Sequence, residues 1–100
     1  TLCVVGESGS GKSVTARAIL QIVDKPGRIT RGGMLFRRPD RSVIDLATLD
    51  PRSRQIRDIR GQEIAMIFQE PMSSLSPVHT IGDQVGEVLR VHLGLSKAAA

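Results

Sequence analysis

The apolar positions of this chain fall into two unbroken runs and two periodic stretches. Leu2-Cys3-Val4-Val5 and Ile64-Ala65-Met66-Ile67-Phe68 are uninterrupted. Short runs of this kind predict strands buried on both faces. From Lys12 to Val23 the apolar residues Ala16, Ile19, Leu20 and Val23 recur at helical spacing. Lys25-Pro26-Gly27 ends that helix, because proline cannot continue it and glycine permits a turn. Near the other end Thr80 predicts a helix cap. Ile81, Val85, Val88 and Leu89 then form one apolar face.

Weaker elements lie between. Gly32-Gly33 precedes Met34-Leu35-Phe36, a short strand, and Val43-Ile44-Asp45-Leu46 is a second. Asp50-Pro51 predicts a helix cap followed by proline at the first helical position. That helix runs through Ile56 and Ile59 and stops at Gly61. Gly6–Gly11, with three glycines, is a loop, and Glu70–Pro77 is a polar loop with prolines near both ends. Strand, glycine loop, helix, then further strands and helices is an α/β order. Sheets of this kind bind ligands at the carboxyl ends of their strands, where the glycine loop sits.

One hundred residues allow one small domain at most. The chain opens directly in an apolar run and stops at Ser96-Lys97-Ala98-Ala99-Ala100, which reads as a helix start. Both ends predict a piece of a longer protein. Net charge is +4, unevenly placed: residues 25–60 hold ten Lys/Arg and four Asp. A solvated face accounts for such a run. Trp and Tyr are absent and there are two Phe, so stacking platforms are scarce and no nucleic-acid partner is expected. Cys3 is the single cysteine, which excludes an internal disulfide; in its apolar run it predicts a buried free thiol and fits a reducing cytosol. No apolar stretch approaches the roughly 20 residues that cross a bilayer.

The glycine loop changes the picture most. Gly6-Glu7-Ser8-Gly9-Ser10-Gly11-Lys12-Ser13 matches G-x-x-x-x-G-K-[S/T], the Walker A pattern. Its glycines let the backbone turn through positive φ and approach an anion without a Cβ in the way. Successive N–H groups form an anion nest, and the following helix adds its free amides and positive end. Lys12 reaches β- and γ-phosphates, and the Ser13 hydroxyl is an oxygen ligand for Mg²⁺. At this chain's composition the pattern arises by chance with a frequency of roughly 0.4%. A fortuitous glycine turn is therefore a poor account of it.

Gln69 follows the second apolar run directly, at a predicted strand's carboxyl end, where its carbonyl oxygen could ligand Mg²⁺ or hold a water. A Gln in that place is ordinary by itself. Its surroundings are not. Ile67-Phe68-Gln69-Glu70-Pro71-Met72-Ser73-Ser74-Leu75-Ser76-Pro77 resembles the Q-loop of ABC-transporter ATP-binding subunits, in particular the oligopeptide/dipeptide (and nickel) importer branch. Ser76 stands where that branch has Asn. Val14-Thr15 after the Walker A serine, Gly61 before the second run and Ile81-Gly82-Asp83-Gln84 also fit it, as does the long connection from Lys12 to Gln69. The resemblance covers about residues 1–95.

It implies a partial P-loop NTPase core of α/β class with a small β-rich and helical insertion. Residues 1–100 would be part of one ATP-binding domain: Walker A at 6–13, the basic insertion at 25–60, the Q-loop at 69–78 and the start of a helical subdomain at 80–100. Gly6 to Ser13 would hold ATP, with Ser13 and Gln69 on Mg²⁺. The loop after Gln69 would face the transmembrane permease subunits, and a second ATP-binding subunit would complete a homo- or heterodimer at the cytoplasmic face of the inner membrane. The family's Leu-Ser-Gly-Gly-Gln signature and its apolar strand ending in Asp-Glu do not occur here, and neither His79 nor His92 ends an apolar strand. The chain is thus expected to bind ATP without efficient hydrolysis, catalytic residues lying elsewhere in the subunit. Two other classes compete: a P-loop small-molecule kinase, with the basic region clamping a phosphorylated acceptor, and a nucleic-acid binder using residues 25–60.

Overall fold

Gly11 hands the chain from loop to helix, with φ 97° in the left-handed region. Helix α1 (Lys12–Ile19) follows. The apolar periodicity predicts a helix to Val23, but the chain leaves the helical path at Gln21, whose φ is 57°. Tertiary hydrogen bonds hold this early end. The Gln21 side-chain amide donates to the carbonyls of Leu46 (2.8 Å) and Ala47 (3.4 Å). The Arg60 guanidinium donates to the carbonyls of Leu20 (2.8 Å) and Gln21 (3.0 Å), where a helix end carries unpaired acceptors and negative dipole. Partial burial lowers the Arg60 pKa from its ordinary value.

Strands β1 (Leu35–Arg37) and β2 (Val43–Asp45) pair antiparallel, Phe36 opposite Ile44. At the hairpin's tip Asp40 accepts from the Ser42 amide and hydroxyl, and these bonds hold its carboxyl below the usual range. Asp45 accepts from the amides of Met34 (2.9 Å) and Ala47 (3.0 Å) and so closes the hairpin onto a single 3₁₀ turn, Leu46–Thr48.

Helix α2 (Arg54–Ile59) starts later than Asp50-Pro51 predicts. Asp50 instead binds the Arg52 amide at 2.8 Å in a local turn, and the cap is Ser53, which accepts from Ile56 N. Gly61 follows with φ 79°, as a helix-ending glycine should. Leu20, Leu46, Ile56 and Ile59 are the buried apolar side chains of this part of the chain.

The computed structural model describes residues 1–100 and divides them into two units, Thr1–Arg60 and Gly61–Ala100, where length alone suggested one domain. In the second unit helix α3 (Ile81–Leu93) is capped by Thr80, as predicted, and ends at Gly94 with φ 66°. Its apolar face is open: Ile81, Val85 and Val88 are exposed. Residues 96–100 form one closing turn, Ala100 N to Ser96 O at 3.0 Å, rather than a helix.

The two buried strands are not formed. The β1–β2 hairpin is the one sheet. Leu2–Val5 joins no ladder, and Leu2 and Val5 are 90% and 93% exposed. Cys3 is exposed rather than buried for the same reason. Ile64–Phe68 shows only an isolated bridge at Ile64, with Ile67 92% exposed. A strand's backbone hydrogen bonds come from its neighbours, and an interior strand needs one on each side. Neither run has such a pair of neighbours. No helix is long and apolar enough to cross a membrane.

Candidate functional site

The sequence-predicted residues Gly6, Glu7, Ser8, Gly9, Ser10, Gly11, Lys12 and Ser13 form one exposed loop and the first turn of α1. The Lys12 ammonium folds back over it. It donates to the carbonyls of Gly6 (2.6 Å) and Glu7 (2.9 Å) and to the Ser10 hydroxyl (3.4 Å). Ser10 N closes the loop on Glu7 O at 3.1 Å. The glycines have distinct reasons. Gly9 and Gly11 adopt φ of 81° and 97°, which L side chains disfavour. At Gly6 space decides, since a Cβ there would meet Ser10 Oγ at 2.5 Å.

The starts of the helices differ. Ser53 caps α2 and Thr80 caps α3 through side-chain oxygens, whereas α1 has no side-chain cap. Its first free amides therefore lie beside the loop and beside Lys12, at the positive end of the helix. The Ser13 hydroxyl is exposed and makes no hydrogen bond within the protein. Thr15 is already committed, its hydroxyl donating to Gly11 O at 2.8 Å. The cleft of about 290 Å³ that α1 borders, through Val14, Thr15 and Ala18, includes none of residues 6–13. The loop thus lies open to solvent rather than in a cleft.

Gln69 belongs to the second unit, exposed in a bend at the end of the Ile64–Phe68 run. The loop after it makes one 3₁₀ turn, Pro71–Ser74. The Ser73 and Ser74 hydroxyls donate to the carbonyls of Glu70 (2.7 Å) and Pro71 (2.5 Å), which satisfies these groups within the turn. Met72 and Val78 are 78% and 81% exposed, so the loop presents apolar side chains to its surroundings.

Sequence reasoning did not single out Gln84, half-buried in the first turns of α3. Its amide faces back onto the loop. Oε1 accepts from Ser76 N at 2.7 Å, and Nε2 donates to Ser76 O and His79 O, each at 3.0 Å. Its sequence signals are its place in the Ile81–Gln84 stretch and a polar side chain one turn into an otherwise amphipathic helix. Nearby, Ser76 Oγ pairs with His79 Nδ1 at 2.9 Å. Thr80 Oγ1 donates to Asp83 Oδ2 at 2.8 Å while accepting from Asp83 N. The Thr80 hydroxyl first, then the charges of Lys97, Arg90 and His79, hold the Asp83 carboxyl below its usual range.

A family model described as ABC transporter matches residues 1–99. The glutathione import ATP-binding proteins GsiA of Salmonella paratyphi A and Salmonella typhimurium are each 52% identical over the whole chain, which spans 16% of their length. The "Putative peptide import ATP-binding protein" of Brucella ovis is 50% identical over the whole chain, which spans 29% of it. No solved structure matches the chain significantly. With a family match across nearly its full length, the chain belongs to the ABC transporter family.

Proposed function

We propose that this chain grips ATP for the ATP-binding subunit of an ABC importer that takes up peptides or a similar small solute. The observation that carries this reading is the uncapped start of α1 beside Lys12 and the left-handed Gly9 and Gly11. An arriving triphosphate replaces the carbonyls of Gly6 and Glu7 as acceptors for Lys12. The exchange keeps the number of hydrogen bonds and puts a full charge against the β- and γ-phosphates. Loop and first-turn amides from Gly6 to Ser13 hold the remaining oxygens. Mg²⁺, when bound, neutralises phosphate charge; the Ser13 hydroxyl and the Gln69 carbonyl are the oxygen donors assigned to it.

Residues 1–100 are read as part of a P-loop NTPase core, with the β1–β2 hairpin and α2 inside the 25–60 insertion, the Q-loop at 69–78 and the helical subdomain starting at residue 80. Hydrolysis and transport belong to the full-length subunit, paired with a second ATP-binding subunit at the cytoplasmic face of the inner membrane. The exposed Met72 and Val78 support a protein contact for the loop after Gln69, assigned to the permease subunits. The names of the relatives, for glutathione and peptide import, support the solute class.

Lys12→Ala in the full-length protein tests the reading by calorimetric titration with Mg·ATP. A charge-assisted contact is worth enough that affinity falls by about tenfold or more, with turnover lost. Unchanged affinity and turnover would remove Lys12 from the phosphate site.

A further inference from the structure

We propose that Gln84 is the positioning residue for the loop that follows Gln69, holding the end of that loop to α3 so that movement at Gln69 reaches the membrane partner. This rests on the permease contact proposed above for the loop after Gln69, taken here as the route of coupling.

The geometry is specific. One side-chain amide satisfies both backbone groups of Ser76, accepting from its N–H at 2.7 Å and donating to its carbonyl at 3.0 Å. This is the two-point pairing a neighbouring strand would supply. The same Nε2 also donates to His79 O at 3.0 Å and lies 3.5 Å from Thr80 O. Gln84 thus ties together the two ends of the segment 76–80. Only an amide does this, because one oxygen must accept while one nitrogen donates towards several carbonyls. The helix beneath is fixed independently, by Thr80 on Asp83 N and by Gln84 N on Thr80 O at 3.1 Å. Removing the Gln84 amide therefore frees the loop and leaves α3 in place.

Without this brace, Ser76–His79 keeps only the weak turn bond from His79 N to Ser76 O at 3.5 Å and the Ser76–His79 side-chain contact. A displacement starting at Gln69 would then be taken up by the loop. With the brace, the loop moves with α3.

The test uses Gln84→Leu and Gln84→Glu in the full-length protein assembled with its membrane subunits. Two quantities are read: hydrogen exchange of the Ser76 amide, and solute taken up per ATP hydrolysed. In Gln84→Leu the Ser76 amide should exchange about tenfold faster, with amides in the middle of α3 unchanged. Uptake per ATP should fall by a similar factor while ATP affinity and basal hydrolysis stay near wild type. Gln84→Glu keeps the acceptor for Ser76 N but sets a carboxylate against carbonyls, so it should lose uptake per ATP at least as severely. Protonating that carboxyl at lower pH restores a donor and should recover part of it. Unchanged exchange at Ser76 in Gln84→Leu would overturn the brace itself. Faster exchange with unchanged uptake per ATP would overturn the positioning role. In that case Val78→Asp, which alters the exposed loop without touching the brace, shows whether the coupling role of the loop falls too, by leaving uptake intact.

Discussion

Lys12 and Asp83 both have neutral groups as their nearest partners, yet the consequences differ. Lys12 sits on carbonyls that an anion can replace, so its bonds are exchangeable. Asp83 sits on the hydroxyl that caps its own helix, so its bond belongs to the fold. The Asp83 pKa is depressed in the folded chain. Its stabilising effect on the start of α3 is therefore present above the unfolded carboxylate value and disappears as pH falls through the lower folded value. A carboxyl-carbon NMR titration should show Asp83 titrating below an ordinary aspartate. Thr80→Val should move it back towards normal, since the Thr80 hydroxyl is the largest cause. An unshifted midpoint in the wild type would contradict the capping geometry.

Among the elements, those legible in the sequence were the ones whose bonds are local. The Thr80 cap, the 3.6-residue spacing of α3, the short strands β1 and β2 and the stop at Gly61 all follow from residues a few positions apart. The shape of the loop at residues 6–13 was legible for the same reason: its own glycines and lysine set it. What was not legible depends on distant partners. The end of α1 is set by Arg60 and by the turn at Leu46, 39 or 40 and 25 residues away in the Arg60–Gln21, Arg60–Leu20 and Gln21–Leu46 bonds. The cap of α2 slipped from Asp50 to Ser53 because Asp50 closed its own Asx turn first. That assignment is testable. Ser53→Ala should cost about 1 kcal/mol of stability in urea unfolding, within the usual range for a lost cap. Asp50→Ala, which leaves the helix cap in place, should cost less. The reverse order would return the cap to Asp50.

At the scale of the whole chain, four large apolar side chains are buried and eighteen are exposed, including Leu2, Val5 and Ile67 at 90% or more. Folding has to offset about 1–2 kcal/mol of backbone entropy per residue, and burial of apolar side chains is the main opposing contribution. Four buried side chains leave little cooperativity. The exposed runs Leu2–Val5 and Ile64–Phe68 are the two segments that the sequence marks as interior strands. As long as they lack neighbours, they remain sticky edges and apolar surface. The 100-residue chain on its own should therefore bind the dye ANS and unfold over a broad thermal range. A cooperatively folded domain of this length would instead melt sharply, with an enthalpy of about 60–80 kcal/mol. Hairpin and helix signals should persist in circular dichroism while the dye binds, because β1, β2 and α3 are held by local bonds. A sharp two-state transition with no dye binding would mean that both apolar runs are paired, and the open arrangement of the two strands would then be wrong.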